Sequence, residues 1–134
     1  MTYLLDTNVW ITVLRDPTSS LAARFRSLAP HNIRVCSVVV AELRHGCMRS
    51  AKSAANRAAI DALLAPFASL PFDDEAAEHF AKIRNDLEIA GRMIGPYDLQ
   101  IAAIGLARNC TVVTHNTAEF SRIAGLPLED WQVF

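Results

Sequence analysis

The sequence predicts an α/β fold with three layers, α/β/α, around a central, mostly parallel sheet of four or five strands. Three observations predict it. Strand-like and helix-like segments alternate along the chain, which is typical of parallel sheets with helices on both faces. Acidic residues follow short apolar or β-rich segments, as at Asp6, where ligands bind in open α/β sheets. The length of 134 residues fits one domain, residues 1–134, with a core of its own.

Two strands and four helices are predicted in the first half of the chain. The strands are residues 3–5 and 34–37; the helices are residues 9–14, one beginning at Ser19 or Ser20, one that Ser37 caps and that carries Glu42, and residues 51–65. The first helix stops at Asp16-Pro17, because proline cannot continue a helix. The last is alanine-rich and has a high helix propensity.

The second half repeats this alternation. An edge strand is expected around residues 69–72, because Pro71 cannot donate a ladder hydrogen bond. The clearest helix begins after Asp73 or Asp74, has apolar residues at alternating steps of four and three, and ends at Gly91. Pro96 marks the first turn of the next helix. A strand at residues 111–114 and a short helix at residues 118–124 complete the pattern.

Composition excludes several classes of protein. The net charge of −1 gives no overall basic surface for nucleic-acid binding, so a polyanionic ligand needs local basic residues, bound cations or a second chain. Three separated cysteines without a Cys-x-x-Cys pair argue against zinc or thioredoxin-like chemistry and favour free thiols in a reducing compartment. No signal peptide or membrane-length apolar run is apparent, so we expect a cytoplasmic protein without a membrane partner.

Four acids and one amide are the candidate site residues: Asp6, Glu42, Asp98, Glu119 and Asn116. Each has an ordinary structural explanation. Asp6 could cap the first helix, and Glu42 could be a solvated helix residue. Asp98 could simply be an acid that the helix dipole stabilises in the first turn of its helix. Against capping by Asp6, Thr7-Asn8 already offers capping groups. Asn116 and Glu119 could simply belong to a turn and a helix start.

Together the acids predict a metal site. Carboxylates that meet at one sheet edge repel one another, so a cation among them is the simplest explanation. Oxygen ligands without thiolates or paired histidines point to Mg²⁺ or Mn²⁺. Such ions, held by carboxylates, water and substrate phosphates, are typical of phosphoryl-transfer enzymes and nucleases. His115 has no partner at ligand spacing and is a surface or substrate contact instead.

The ordered motifs resemble the PIN-domain ribonucleases, and more closely the VapC toxins of bacterial type II toxin–antitoxin pairs. The resemblance covers nearly the whole chain. The motifs are Leu5-Asp6-Thr7-Asn8, Ala41-Glu42-Leu43 with Ser37 and Gly46, Gly91-Arg92, Ile94-Gly95-Pro96-Tyr97-Asp98, Ile101-Ala102-Ala103, Val113-Thr114-His115-Asn116 with Glu119-Phe120, and Gly125-Leu126 with Trp131.

The resemblance implies a PIN-like fold and a Mg²⁺-dependent endoribonuclease, with Mn²⁺ able to substitute. Asp6 and Asp98 match the family's metal ligands, and Glu42 matches its third acid. The chain departs from the family at Asn116, where many PIN nucleases have aspartate. We expect Glu119 to supply the fourth acid, with Asn116 as a supporting ligand or hydrogen-bonding residue. One or two metal ions are compatible with this set.

The resemblance also implies partners. They are an RNA substrate, a second copy of the chain in a homodimer, and a VapB-type antitoxin whose C-terminal tail blocks the acidic pocket. Operator DNA would be bound only through the antitoxin. The Gly91–Asp98 segment resembles the subgroup that cuts initiator tRNA and so inhibits translation. Arg92 and His115 are the candidate substrate contacts.

Three other functions remain open. A magnesium phosphatase would want a second aspartate two residues after Asp6, where Asn8 stands. A receiver-like domain would carry adjacent acids after the first strand and a lysine after the last, and this chain has neither. A PIN-like module that binds RNA with weak or no activity is compatible with the neutral Asn116.

Overall fold

The computed structural model describes residues 1–132, so Val133 and Phe134, at the end of the predicted domain, lie outside the described residues. A single sheet of five strands forms the middle layer, in the order β3-β2-β1-β4-β5, and every pairing is parallel. The strands are β1 Tyr3–Leu5, β2 Ile33–Cys36, β3 Ala68–Leu70, β4 Thr111–Val113 and β5 Leu128–Glu129. The predicted fold class, three-layer α/β/α with a parallel sheet, is confirmed.

Seven α-helices are present among the described residues. They are α1 Thr7–Arg15, α2 Ser20–Ser27, α3 Ser37–Met48, α4 Ser53–Leu64, α5 Asp74–Ala90, α6 Pro96–Ala107 and α7 Thr117–Phe120. None of the helices in residues 1–132 has the length and apolar character needed to cross a membrane.

Local sequence signals set most helix ends. Ser19 caps α2 by accepting from the Ala22 N–H at 3.1 Å, and Asp73 caps α5 by accepting from the Ala76 N–H at 3.0 Å. Gly91 ends α5 with a φ of 66°, a left-handed conformation that glycine adopts without strain. Pro96 is the first residue of α6, as predicted.

Three predicted details are wrong, and one strand was missed. Ser37 does not cap α3; Cys36 precedes that helix, and the Ser37 Oγ accepts instead from the Phe72 N–H at 3.3 Å. The predicted helix over residues 51–65 is shorter, and the one over residues 118–124 is only α7, followed by turns. β5, which has two residues, was not predicted because Pro127 and the short apolar segment give no strand signal of their own.

The core lies on both sides of β1 and β4, whose residues are all buried. On one side Trp10 meets Phe25 and Phe67 edge-on, with ring centroids 5.6 and 5.2 Å apart. Helix α6 is buried on nearly every side rather than along one stripe, because it packs against both α5 and the sheet. Cys36, Cys47 and Cys110 are free and buried, as expected, and burial raises the pKa of the Cys36 thiol to about 11.

The strand order positions the site. β1 is the central strand, pairing with β2 on one side and β4 on the other, so chain connections diverge from it in both directions. Ligand sites in open α/β sheets form at such a point, outside the carboxyl ends of the strands. Asp6 follows β1 directly and therefore lies at the centre of this edge.

Replacement of Gly105 should destabilise the fold more than replacement of any other glycine. A Cβ at this position would lie 2.9 Å from Cγ2 of the buried Val112. Gly105→Ala should lower the free energy of unfolding by about 1–3 kcal/mol, since α6 would have to move off the sheet. Urea denaturation measures this change.

Gly46→Ala in α3 is the matched control, because no atom lies within 4 Å of its added Cβ. Removing a glycine from a helix interior should stabilise the protein by up to about 1 kcal/mol. Equal effects of the two substitutions would contradict this account of the contact between α6 and β4.

Candidate active site at the carboxyl edge of the sheet

Asp6 is the most buried acid of the site, with 6% of its surface exposed. One carboxylate oxygen accepts from the Val9 N–H at 3.0 Å and so caps α1, and the other accepts from the Thr114 hydroxyl at 2.6 Å. The prediction that Thr7-Asn8 would supply the cap is therefore wrong. Burial raises the pKa of Asp6 despite these hydrogen bonds, and the charge of Glu42 raises it further.

Glu42 lies in the second turn of α3 and is half-buried. Its Oε1 accepts from the Thr7 hydroxyl at 2.7 Å, which ties α3 to the first turn of α1. The neighbouring Val38 and Val39 are buried, whereas Ala41 is exposed. Glu42 is thus held at the rim of the core, with its carboxylate turned towards the end of β1.

Asp98 lies in the first turn of α6 and is half-buried. Its pKa is raised to about 6, first by burial and then by the negative charges of Asp6, Glu119 and Glu42. Each of these acids is close enough to affect its protonation. Acids from four separate elements therefore lie near enough to one another for their charges to interact.

Asn116 connects two of these acids. Its side-chain Nδ2 donates to Oε2 of Glu119 at 3.0 Å and, weakly, to Oδ2 of Asp98 at 3.5 Å. Its backbone N–H donates to the Thr114 hydroxyl, the same group that holds Asp6. Asn116 therefore lies among the acids as a hydrogen-bond donor, while Glu119 carries the fourth negative charge.

The carboxylates offer the oxygen donors that would suit a magnesium ion that keeps several waters. Within residues 1–132, no three His, Cys, Asp or Glu side chains already form a cage for a metal ion. Mg²⁺ is usually held by one or two carboxylates together with water and substrate phosphates, rather than by an all-protein cage. Burial and then the negative charges of Asp6, Glu119 and Glu42 raise the pKa of Asp98, and a divalent cation would relieve the repulsion part of this effect.

In residues 1–132, neither predicted substrate contact has a hydrogen bond or ion pair to one of the four acids. The exposed His115 ring has its Nδ1 2.9 Å from Oδ2 of Asp130. Arg92 is exposed in the turn after α5 and lines a cavity of about 390 Å³ together with Lys82 and Arg122. Arg122 also donates to the Met93 carbonyl at 2.9 Å, which fastens the loop leading to Asp98.

Sequence reasoning missed the role of two threonine hydroxyls. Thr7 and Thr114 donate to Glu42 and Asp6, so each holds a carboxylate in place. The signal for Thr114 was its position, because it follows β4 as Asp6 follows β1 and the two strands are neighbours. The contact of Thr7 with α3 depends on how the helices pack and has no signal in the local sequence.

Comparison with known proteins assigns the family. The family model for the PIN domain matches residues 3–126. Ribonuclease VapC2 of Rickettsia felis is 36% identical over 98% of both chains, and the tRNA(fMet)-specific endonuclease VapC of Shigella flexneri is 36% identical over 96% of this chain and 97% of its own. The chain is a PIN-domain protein of the VapC family.

Solved structures of VapC relatives agree with this assignment. The chain superposes with a TM-score of 0.91 and 35% identity on a chain of Rickettsia felis VapBC2 bound to a promoter DNA fragment, covering 98% of this chain and 99% of that one. The corresponding values for DNA-bound VapBC of Salmonella typhimurium are 0.92 and 33%, over 98% of both chains. The chain thus shares its fold with one chain of each of these VapBC complexes.

Removing the charge of Asp98 should stabilise the metal-free protein at neutral pH. A folded-state pKa of about 6 lies above the unfolded value, so the folded state binds the extra proton as the pH falls. After allowance for partial exposure, Asp98→Asn should raise the free energy of unfolding at pH 7 by about 1–2 kcal/mol. The advantage should shrink as the pH falls through 6 and vanish near about pH 4.

Urea denaturation in a chelator at several pH values measures this effect. Asp86→Asn, which changes an exposed carboxylate on α5 paired with Lys82, is the control and should show little change in either stability or its pH dependence. A less stable Asp98→Asn protein at pH 7 would contradict the repulsion inferred at this site.

Proposed function

We propose that this chain is a metal-dependent endoribonuclease, the toxin of a toxin–antitoxin pair, and that it uses Mg²⁺, with Mn²⁺ able to substitute. One observation carries the proposal: in a VapC-family fold, Asp6, Glu42 and Glu119 all act on the pKa of Asp98 at the carboxyl edge of the sheet. Relatives that align over nearly the whole chain are named as ribonucleases.

Asp6 and Asp98 are the residues that would hold the metal ion. Asp6 is fixed by the Val9 N–H and the Thr114 hydroxyl, which leave its carboxylate little freedom to turn away. Asp98 is fixed by its place at the start of α6, where Pro96 and the buried Ile94 set the direction of the chain. When bound, the ion would lower the pKa of the attacking water and stabilise charge on the phosphate oxygens.

Glu42 is the residue we assign to the attacking water. The Thr7 hydroxyl occupies one carboxylate oxygen, which orients the side chain and leaves the other oxygen to accept a proton from water. Glu119 adds negative charge, and Asn116 holds Glu119 beside Asp98 through its Nδ2. The arrangement thus separates residues that bind the ion from a residue that positions water.

Specificity and partners are proposed from the relatives. The endonucleases of Shigella flexneri and Salmonella typhimurium are named as specific for tRNA(fMet), and we propose initiator tRNA as the substrate here, so that cleavage stops translation. Structural relatives are VapBC complexes, two of them with DNA. A VapB-type antitoxin is therefore the proposed partner, with operator DNA bound through it. A homodimer of this chain completes the proposed assembly.

Cleavage should require the metal and the buried acids. Purified chain free of antitoxin should cut total RNA at defined positions with Mg²⁺ and not in a chelator. Asp6→Asn and Asp98→Asn should each lower the rate by at least about 100-fold, because each removes a charged metal ligand. End mapping and single-turnover rates measure the effect.

The control for these variants is Asp86→Asn, which should cut at the wild-type rate because its exposed carboxylate lies on α5 and is paired with Lys82. Wild-type rates for folded Asp6→Asn and Asp98→Asn proteins would refute the assigned metal ligands. Binding of RNA without cleavage by the wild type, at any Mg²⁺ or Mn²⁺ concentration, would favour the inactive RNA-binding module instead.

Among tRNAs, initiator tRNA should be cut in preference to others. The matched comparison is elongator methionine tRNA, which carries the same anticodon in a different stem context. We expect cleavage of the initiator at least about 10-fold faster, a difference of about 1.4 kcal/mol in transition-state free energy. Equal rates would refute initiator tRNA as the preferred substrate without contradicting the ribonuclease activity.

A further inference from the structure

A cleft beside the acidic site has no role in the function proposed so far. Its volume is about 530 Å³, within the range of about 300–1,000 Å³ usual for sites that take small organic groups. Its lining comes from α3, from the segment after β3 and from the first two turns of α6, and it includes Glu42, Phe72, Tyr97 and Gln100.

Two aromatic side chains in this cleft face solvent. Tyr97 is 58% exposed and Phe72 is 36% exposed, whereas Trp10, Tyr3 and Phe120 are buried. The Phe72 ring is supported from one side by Phe80, with centroids 5.7 Å apart and the planes perpendicular. A single exposed aromatic residue is ordinary, but two that line one cleft offer a surface for stacking a flat ring.

The cleft borders the acidic site at Glu42. Glu42 belongs to both, and Tyr97 directly precedes Asp98 in α6. A phosphate at the acids would therefore have its neighbouring nucleotide within reach of Tyr97. The surrounding negative charge disfavours a second phosphate in the cleft, whereas a neutral base is not repelled.

We propose that this cleft binds one unstacked nucleobase of the RNA, adjacent to the phosphate at the acidic site, and that the base stacks on Tyr97. The inference rests on the proposed ribonuclease function and deepens it. Sequence-specific recognition of RNA usually works this way, with splayed bases stacked on aromatic side chains and hydrogen-bonded at their edges. Gln100 and His45, which also line the cleft, supply donors and acceptors for the base edge.

The first test removes the aromatic ring of Tyr97. Tyr97→Ala should lower kcat/KM on an RNA with a mapped cleavage site by about 5- to 100-fold, since stacking contributes about 1–3 kcal/mol per base. Tyr97→Phe keeps the ring and should stay within about threefold of wild type. The control Ile89→Ala, an exposed apolar side chain on α5, should behave as wild type.

The same RNA with one abasic nucleotide at each position flanking the cut supplies a second arm. At one position, loss of the base should lower the kcat/KM of the wild type about as much as the Tyr97→Ala substitution lowers it on the intact RNA. That abasic RNA should slow the Tyr97→Ala protein little further, because both changes remove the same contact. This arm also uses the unaltered protein, so wild-type rates on every abasic RNA would overturn the base site even where a variant fails to fold.

A binding measurement separates stacking from effects on chemistry. With 2-aminopurine at the sensitive position, Mg²⁺ present and a linkage at the cut site that water cannot hydrolyse, the wild type should quench the fluorescence of the base. Tyr97→Ala should not quench it, and Tyr97→Phe should. This readout reports the stacked ring directly and does not depend on the rate of hydrolysis.

The outcomes that overturn the inference differ from those that overturn the function. A wild type that cuts RNA, with a Tyr97→Ala protein equal to it in kcat/KM and cleavage positions, refutes the base site alone. So does a Tyr97→Ala protein that cuts normally but no longer binds the antitoxin, since the cleft then holds a protein segment. A wild type that cuts no RNA refutes both.

Discussion

Repulsion among the four carboxylates at the end of β1 is the constraint on which the site depends. Asp6, Glu42, Asp98 and Glu119 come from four elements, and the pKa of Asp98 is raised first by burial and then by the negative charges of the other three. Only a rigid frame holds like charges together, and the buried β1–β4 pair with the enclosed α6 supplies it. Core burial thus offsets a cost that the site itself imposes on folding.

Hydroxyl and amide donors partly offset the repulsion among the acids. Thr114 holds Asp6, Thr7 holds Glu42, and Asn116 holds Glu119, so a separate polar donor stabilises each of these charges. Such donors favour the ionised forms without neutralising them. The acids therefore remain charged and available to a cation while the protein keeps its fold. A site for Mg²⁺, an ion that keeps several of its waters, would need this property.

The parts of the fold that depend on local chemistry were predictable, and the parts that depend on assembly were not. Gly91 and Pro96 mark helix ends through backbone conformations that few other residues share, so the sequence located them. The proximity of Asp6, Glu42 and Glu119 followed from their positions after parallel strands, whereas Asp98 follows α5 and a loop, so its place was not predictable on that ground. The two-residue β5 depends on pairing with β4, and the Thr7–Glu42 bond on the packing of α1 against α3. Neither has a local signature.

The neutral Asn116 was the sequence feature that kept an inactive RNA-binding module open. In the structure, the charge absent at this position is supplied one helical turn later by Glu119, which acts on the pKa of Asp98. Asn116 donates to that same glutamate, so the amide brings the acid to the site instead of replacing it. An aspartate at position 116 would lose this donor and add repulsion beside Asp98. The departure from the aspartate expected at position 116 therefore redistributes the negative charge of the site rather than removing it.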